Sequence, residues 1–138
     1  MATINEIKEL VETANELGLD CPHKIDVFAA AEIYNGVGAM WMPERIRKAL
    51  DRLSDTLLPA VLIHDIDYAL GDGTLLDFQA ANNRLAENGC KCANAEYSWW
   101  NPMRYIVRHQ AHAYAKVCKL FGLIAYEMAI AEHRSNGG

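Results

Sequence analysis

The segment from Pro59 to Gly71 constrains this chain most, because it is apolar around most of a helical circumference and still carries ionisable side chains. Proline suits the first turn of a helix, and glycine commonly follows its last residue. A helix of this composition is expected in the core. Burying His64, Asp65 and Asp67 there is costly unless each is hydrogen-bonded, paired with an opposite charge or bound to a metal. The sequence therefore predicts dedicated partners for these three residues.

The rest of the chain also repeats apolar residues at helical spacing, and no segment alternates as a strand does. Capping residues at Thr3, Thr74 and Asn101 indicate three helix starts. The predicted helices cover 4–17, 26–34, 43–57, 59–70, 74–88 and one long final helix from 101 to at least Met128. Because the 138 residues contain no repeat and no interdomain linker, we predict one all-α domain over residues 1–138.

Charge and hydropathy narrow the partners that this domain is expected to have. The formal net charge is -5, so no global basic field favours nucleic acid. No positively charged leader with a following apolar stretch opens the chain, and the longest apolar run, near residues 59–63, is too short to cross a bilayer. The expected location is the cytoplasm, unless a phage particle or a secretion system delivers the protein. The sequence leaves the oligomeric state open.

Four cysteines allow either two disulfides or none, and we expect them to be reduced. The spacing Cys90-Lys91-Cys92 is tighter than that of a usual zinc knuckle. His109 and His112 follow on the final helix and could complete a zinc site. A zinc-stabilised helical module is thus one alternative reading of the chain.

A glycine-containing turn, Tyr34-Asn35-Gly36-Val37-Gly38, follows the second predicted helix. Two glycines spaced by one residue allow successive carbonyl oxygens to converge on a hard cation such as calcium. Asp65 could add the negative charge that carbonyl groups lack. Taken alone, such a turn is more often a plain helix C-cap.

The turn and the later segment His64-Asp65-Ile66-Asp67-Tyr68 together form a recognisable pair of motifs. Tyr-x-Gly-x-Gly followed by His-Asp-x-x-Tyr resembles the phospholipase A2 superfamily, in its disulfide-poor bacterial, phage-borne and parvovirus-capsid branches. The resemblance implies a calcium ion, Ca2+, held by the main-chain carbonyls of Tyr34, Gly36 and Gly38 and by the carboxylate of Asp65.

The same resemblance implies an ester hydrolase that acts on the sn-2 position of phospholipids. His64 would be the general base that takes a proton from the attacking water. The amide of Gly36, with calcium, would stabilise the oxyanion, and Tyr68 would support the site by hydrogen bonding. Two antiparallel helices carry such a site in this family.

The family places an aspartate on the second of these helices, where it holds the imidazole in the correct tautomer. Ala81-Asn82-Asn83-Arg84-Leu85 matches the branch pattern Ala-Asp-x-x-Phe or Leu, with Asn82 at the aspartate position. Periodicity also puts Asn82 on an apolar stripe, where its amide needs a buried partner. Asp77 and Asp67 are alternative orienting residues. Because an amide stabilises imidazolium less than a carboxylate does, weak activity or an inactive phospholipase-like interaction protein of phage or bacterial origin is the competing expectation.

The resemblance covers about residues 34–90 and departs from the secreted relatives in several ways. The interval before His64 is longer, Ala39 follows the second glycine of the turn, and no cysteines flank His64. Trp41 and Met42 follow the turn closely and could contact a membrane surface peripherally. Trp99-Trp100 is a second aromatic cluster, for which a lipid interface and core packing are both open.

Overall fold

A computed structural model describes residues 2–35 and 43–137 of the chain. The described residues are helical and contain no strand, as the sequence predicts. A 3-10 turn at Asp55–Leu57 precedes the fourth of the helices. In chain order the α-helices are α1 (Ile4–Glu16), α2 (Val27–Tyr34), α3 (Glu44–Asp51), α4 (Leu58–Ala69), α5 (Leu75–Glu96), α6 (Pro102–Phe121) and α7 (Leu123–Ser135).

The helix starts are fixed by local side-chain chemistry. Thr3, Thr74 and Asn101 each accept a hydrogen bond from a backbone N–H two or three residues ahead, as their sequence positions predict. Each bond satisfies one of the donors that a helix start leaves without an intrahelical partner. These three capping interactions therefore set the beginnings of α1, α5 and α6.

Helix α4 is the centre of the fold. Every residue of α4 except Leu58 and Asp65 is buried, and α1, α2, α5 and α7 all pack against it. Helices α4 and α5 run antiparallel, since Leu57 before α4 lies beside Gly89 late in α5, while Tyr68 late in α4 stacks near Phe78 early in α5. This register brings the polar residues of the two helices together inside the core.

Helix α5 continues to Glu96, so the predicted end near Gly89 is wrong. Gly89 is buried within the helix, and a Cβ added there would lie 2.4 Å from the Cβ of Ala111 on α6. Glycine is thus needed for the close approach of two antiparallel helices, and it does not end a helix here. The periodic pattern does not distinguish a glycine that follows a helix end from a glycine at a close contact between helices, because both can stand among apolar residues.

The predicted long final helix is also wrong, because the chain bends at Gly122 and divides it into α6 and α7. A Cβ at Gly122 would lie 2.4 Å from the carbonyl oxygen of Cys118 and 2.8 Å from the hydroxyl of Tyr68. The bend lets α7 pack against α4 instead of extending away from it. There Tyr126 and Ile130 close the core beside Tyr68.

The contact between α5 and α6 gives a direct test of this packing. We expect Gly89→Ala to lower the free energy of unfolding by about 1–3 kcal/mol, because overpacking at Ala111 outweighs the gain of about 1 kcal/mol in helix propensity. In an Ala111→Gly background the same substitution should cost less, since the opposing Cβ is gone. Urea unfolding of the four proteins of this cycle measures the coupling. Equal costs in both backgrounds would contradict the proposed contact.

Candidate functional site

The buried polar centre of the fold joins α4 and α5 through one amide. The hydrogen bond that the sequence predicts between His64 and Asn82 is present, with 2.8 Å between His64 Nε2 and Asn82 Oδ1. The hydroxyl of Tyr68 donates to the same Oδ1 at 2.7 Å. The rings of His64 and Tyr68 lie with centroids 4.1 Å apart, one helical turn from each other on α4. All three side chains are buried.

This arrangement selects one tautomer of the imidazole. With Asn82 Oδ1 as the shared acceptor, Tyr68 donates its hydroxyl proton and His64 donates from Nε2. The other ring nitrogen, Nδ1, then carries a free lone pair. His64 is therefore held in the form that can accept a proton at Nδ1.

The side-chain amide of Asn82 is only partly satisfied at this position. Asn82 Nδ2 is buried and has no hydrogen-bond partner within the part of the chain that the structure describes. An unsatisfied buried donor is unfavourable, and a carboxylate at this position would not carry it. Burial lowers the pKa of His64 to about 4, and the hydrogen bond that His64 donates to Asn82 opposes this shift only in part. His64 is thus neutral at physiological pH.

Asp65 occupies a different side of α4 from His64. It is the one residue in the interior of this helix that retains partial solvent access. Burial raises the pKa of Asp65 to about 7, and among the described residues no positive charge counteracts this rise. A cation placed beside the carboxylate would offset the free-energy cost of ionising Asp65. The carboxylate oxygens therefore fit a hard metal ion.

Tyr34 lies near this carboxylate, at the last position of α2. Its pKa is raised by burial first and then by the negative charge of Asp65. The last carbonyls of a helix lack intrahelical partners, which makes the Tyr34 carbonyl a candidate ligand. Gly36 and Gly38, the other predicted calcium ligands, lie outside the described residues, as do Trp41 and Met42.

The start of the glycine turn is held by a contact that the sequence analysis missed. The side chain of Asn35 both accepts from the backbone N–H of Ala2 at 2.9 Å and donates to its carbonyl at 2.8 Å. This pair of bonds ties the residue after α2 to the segment before α1. Because the two residues are far apart in sequence, no local pattern indicates the contact.

Asp67 and Asp77, the two alternative orienting residues, do not contact His64. Asp67 forms two hydrogen bonds with Arg84, at 2.8 and 2.9 Å, and lies 3.4 Å from His23 Nε2. Asp77 accepts from the hydroxyl of Tyr126 at 2.8 Å. Charge pairing satisfies Asp67 in the core. Among the described residues, Asn82 is the only hydrogen-bond partner of the imidazole.

The predicted four-residue zinc site is contradicted. Cys92 is buried in the hydrophobic core, whereas Cys90 lies 3.4 Å from His112 at the surface of α5 and α6. No group of three or more potential metal ligands occurs in residues 2–35 and 43–137. All four cysteines are free thiols, as expected.

The aromatic pair Trp99-Trp100 is 74% and 67% exposed, which excludes the core-packing explanation. The pair follows the end of α5, roughly 20 Å along the helix from Asn82, and so does not border the buried histidine. In the described ranges, none of the helices is both long enough and apolar enough to cross a membrane.

Comparison of the chain with protein-family models, with curated proteins and with solved structures gave no match.

The unusual state of Asp65 can be measured through stability. In metal-free protein at pH 8 we expect Asp65→Asn to raise the thermal midpoint by roughly 3 °C or more, because it removes a desolvated charge. The folded pKa lies above the unfolded value, so wild type loses stability as the pH rises from about 4 to about 7. The difference between the proteins should therefore vanish near pH 4. Scanning calorimetry with chelator tests this, and the exposed Glu12→Gln serves as the control. A midpoint unchanged at pH 8 would show that Asp65 is not destabilising.

Proposed function

We propose that this protein hydrolyses the sn-2 ester of phospholipids in a calcium-dependent reaction, as a phospholipase A2-like carboxylic ester hydrolase. The observation that carries the proposal is the buried hydrogen-bonded set of His64, Asn82 and Tyr68, next to the desolvated carboxylate of Asp65 on the same helix. This combination joins a neutral base to a candidate cation ligand. The sequence resemblance, which covers both motifs, supports the same reaction class.

His64 acts as the general base in this proposal. Its Nε2 proton is donated to Asn82, which leaves Nδ1 to take a proton from the water that attacks the ester carbonyl. The low pKa keeps the imidazole unprotonated at neutral pH, but it also makes His64 a weaker base than one whose pKa lies near the working pH. At neutral pH the imidazole is consequently unprotonated, and it is only a moderately strong base.

Calcium would be held by the carboxylate of Asp65 and the carbonyls of Tyr34, Gly36 and Gly38. When bound, it supplies Lewis-acid polarisation of the ester carbonyl. Asp65 contributes a charge whose desolvation is already present in the folded protein. In this proposal the amide of Gly36 would donate to the developing oxyanion, and Trp41 and Met42 would contact the phospholipid surface peripherally.

Asn82 and Tyr68 are positioning residues in this scheme. Asn82 fixes the tautomer of His64 through Oδ1, and Tyr68 holds Oδ1 in place from the other side. A carboxylate would perform both tasks and would also stabilise the imidazolium that forms when His64 accepts a proton. Asn82 therefore keeps the geometry of the site and reduces its rate.

A second candidate function is a phospholipase-like interaction protein that binds calcium with little or no turnover. Two observations favour it: Asn82 Nδ2 has no hydrogen-bond partner among the described residues, and the pKa of His64 is lowered by burial without a neighbouring carboxylate at Asn82 to offset the shift. Calcium binding is common to the two candidates. Only turnover of phospholipid separates them.

The first test is hydrolysis of phospholipid vesicles with calcium and with chelator. Wild type should release fatty acid only with calcium, and His64→Gln should reduce the rate by about 10²–10⁴-fold because the base is lost. His109→Gln, which changes an exposed histidine on α6, is the matched control and should retain the rate. Equal calcium-dependent rates in wild type and His64→Gln would disprove the proposed base. Absence of fatty acid release by wild type, with calcium binding intact, would favour the interaction protein.

The second test asks whether Asn82 limits the reaction. Asn82→Asp should raise kcat about tenfold or more, which corresponds to roughly 1.4 kcal/mol of added stabilisation of the imidazolium in the transition state. The new carboxylate should also raise the pKa of His64 above about 4, so the acid limb of the pH profile moves to higher pH. The profile is measured at saturating calcium, so that Asp65 remains ionised.

Asn83→Asp adds the same charge to the exposed face of α5 and serves as the control for that experiment. It should change neither kcat nor the position of the acid limb. If Asn82→Asp behaves like Asn83→Asp while retaining its fold by circular dichroism, Asn82 does not orient the base.

A further inference from the structure

A second pair of chemically reactive side chains lies away from the His64 site. Cys90 on α5 and His112 on α6 face each other, with 3.4 Å between the thiol sulfur and the imidazole Nε2. Cys90 is half-buried and His112 is exposed, so solvent reaches the pair. Cys90 lies about two helical turns beyond Asn82, and the proposed hydrolysis uses neither residue.

The neighbouring backbone holds this pair in place. Gly89 and Ala111, the residues just before Cys90 and His112, form the close contact between α5 and α6. Because an added Cβ at Gly89 would meet Ala111 at 2.4 Å, the two helices cannot shift freely at this level. The sulfur and the imidazole therefore face each other from two rigid elements.

The separation of the two atoms suits a shared metal ion. A tetrahedral zinc ion binds thiolate sulfur at about 2.3 Å and imidazole nitrogen at about 2.0–2.1 Å, which puts those two ligand atoms about 3.6 Å apart. The observed 3.4 Å is a hydrogen-bond distance between thiol and imidazole, and it is about 0.2 Å shorter than this span.

We propose that Cys90 and His112 form a two-residue chelate for a borderline-soft divalent cation of the zinc class. On binding, the Cys90 thiol releases its proton to solvent and forms a bond from sulfur to the metal. His112 supplies the lone pair of Nε2 in its neutral form. The described residues offer no third ligand nearby, so water or an external donor occupies the remaining positions.

The donor set separates this site from the proposed calcium site. Thiolate and imidazole favour zinc, cobalt or copper, whereas calcium takes oxygen ligands such as the Asp65 carboxylate. The other two residues of the predicted zinc site do not join the pair: Cys92 is in the core, and no group of three or more potential ligands that would include His109 occurs among the described residues. These two residues provide no alternative chelate for the same ion.

Cobalt titration of the full chain under reducing conditions tests the proposal. Co2+ should bind once per chain and produce a thiolate-to-cobalt charge-transfer band in the near ultraviolet, which Zn2+ abolishes and excess Ca2+ does not. Cys90→Ser should eliminate the band, and His112→Gln should weaken Co2+ binding at least about tenfold, the usual scale for a disturbed metal site.

Two matched variants act as controls in that titration. Cys21→Ser removes another half-buried thiol, and His109→Gln removes the exposed histidine one turn from His112, so both should keep the band and the affinity. A wild-type chain without the band, a band that persists in Cys90→Ser, or equal affinities for His112→Gln and His109→Gln would overturn the proposal. The titration does not depend on ester hydrolysis, so the two proposals stand or fall separately.

Discussion

Burial of polar groups on α4 is the constraint on which the rest of the structure depends. A helix that packs against four others can carry His64 and Asp67 only if its neighbours supply partners. Helix α5 supplies both, through Asn82 and Arg84, and the segment before α2 adds His23. The antiparallel register of α4 and α5 is thus specified by polar contacts as well as by apolar packing.

The two polar contacts between α4 and α5 differ in character. Asp67 and Arg84 form a bidentate pair that neutralises a buried charge, whereas His64 and Asn82 are joined without any net charge. The two charges of the ion pair have opposite effects on the pKa of His64, since Asp67 raises it and Arg84 lowers it. Desolvation therefore dominates, and the imidazole remains neutral. A structural ion pair and a candidate base therefore lie on the same two helices, and the opposite effects of the two charges leave burial as the main influence on the pKa of His64.

Asp65 differs from Asp67, because the described residues give it no cationic partner and leave it partly accessible to solvent. An ionised carboxylate at this position lowers the free energy of unfolding. Such a residue is typical of a site where a bound ligand offsets that loss of stability. Tyr34 at the end of α2 lies near it, on the chain segment that leads into the glycine turn. This is the physical link between the stability of the domain and its proposed chemistry.

The sequence by itself determined the all-α class and the caps of α1, α5 and α6, because periodicity and capping are local. The meeting of His64 with Asn82 followed from the resemblance of the two motifs, and periodicity added only that the amide of Asn82 needs a buried partner. Tertiary packing decided how glycine is used at Gly89 and Gly122, since a glycine pattern does not distinguish a helix end from a close contact or a bend. It also decided which partners join across the chain: Arg84 with Asp67, Asn35 with Ala2, and Cys90 with His112 in place of the four-residue zinc set. Those pairings depend on the register between helices, which arises from side-chain packing over the whole core and leaves no signal in any single segment.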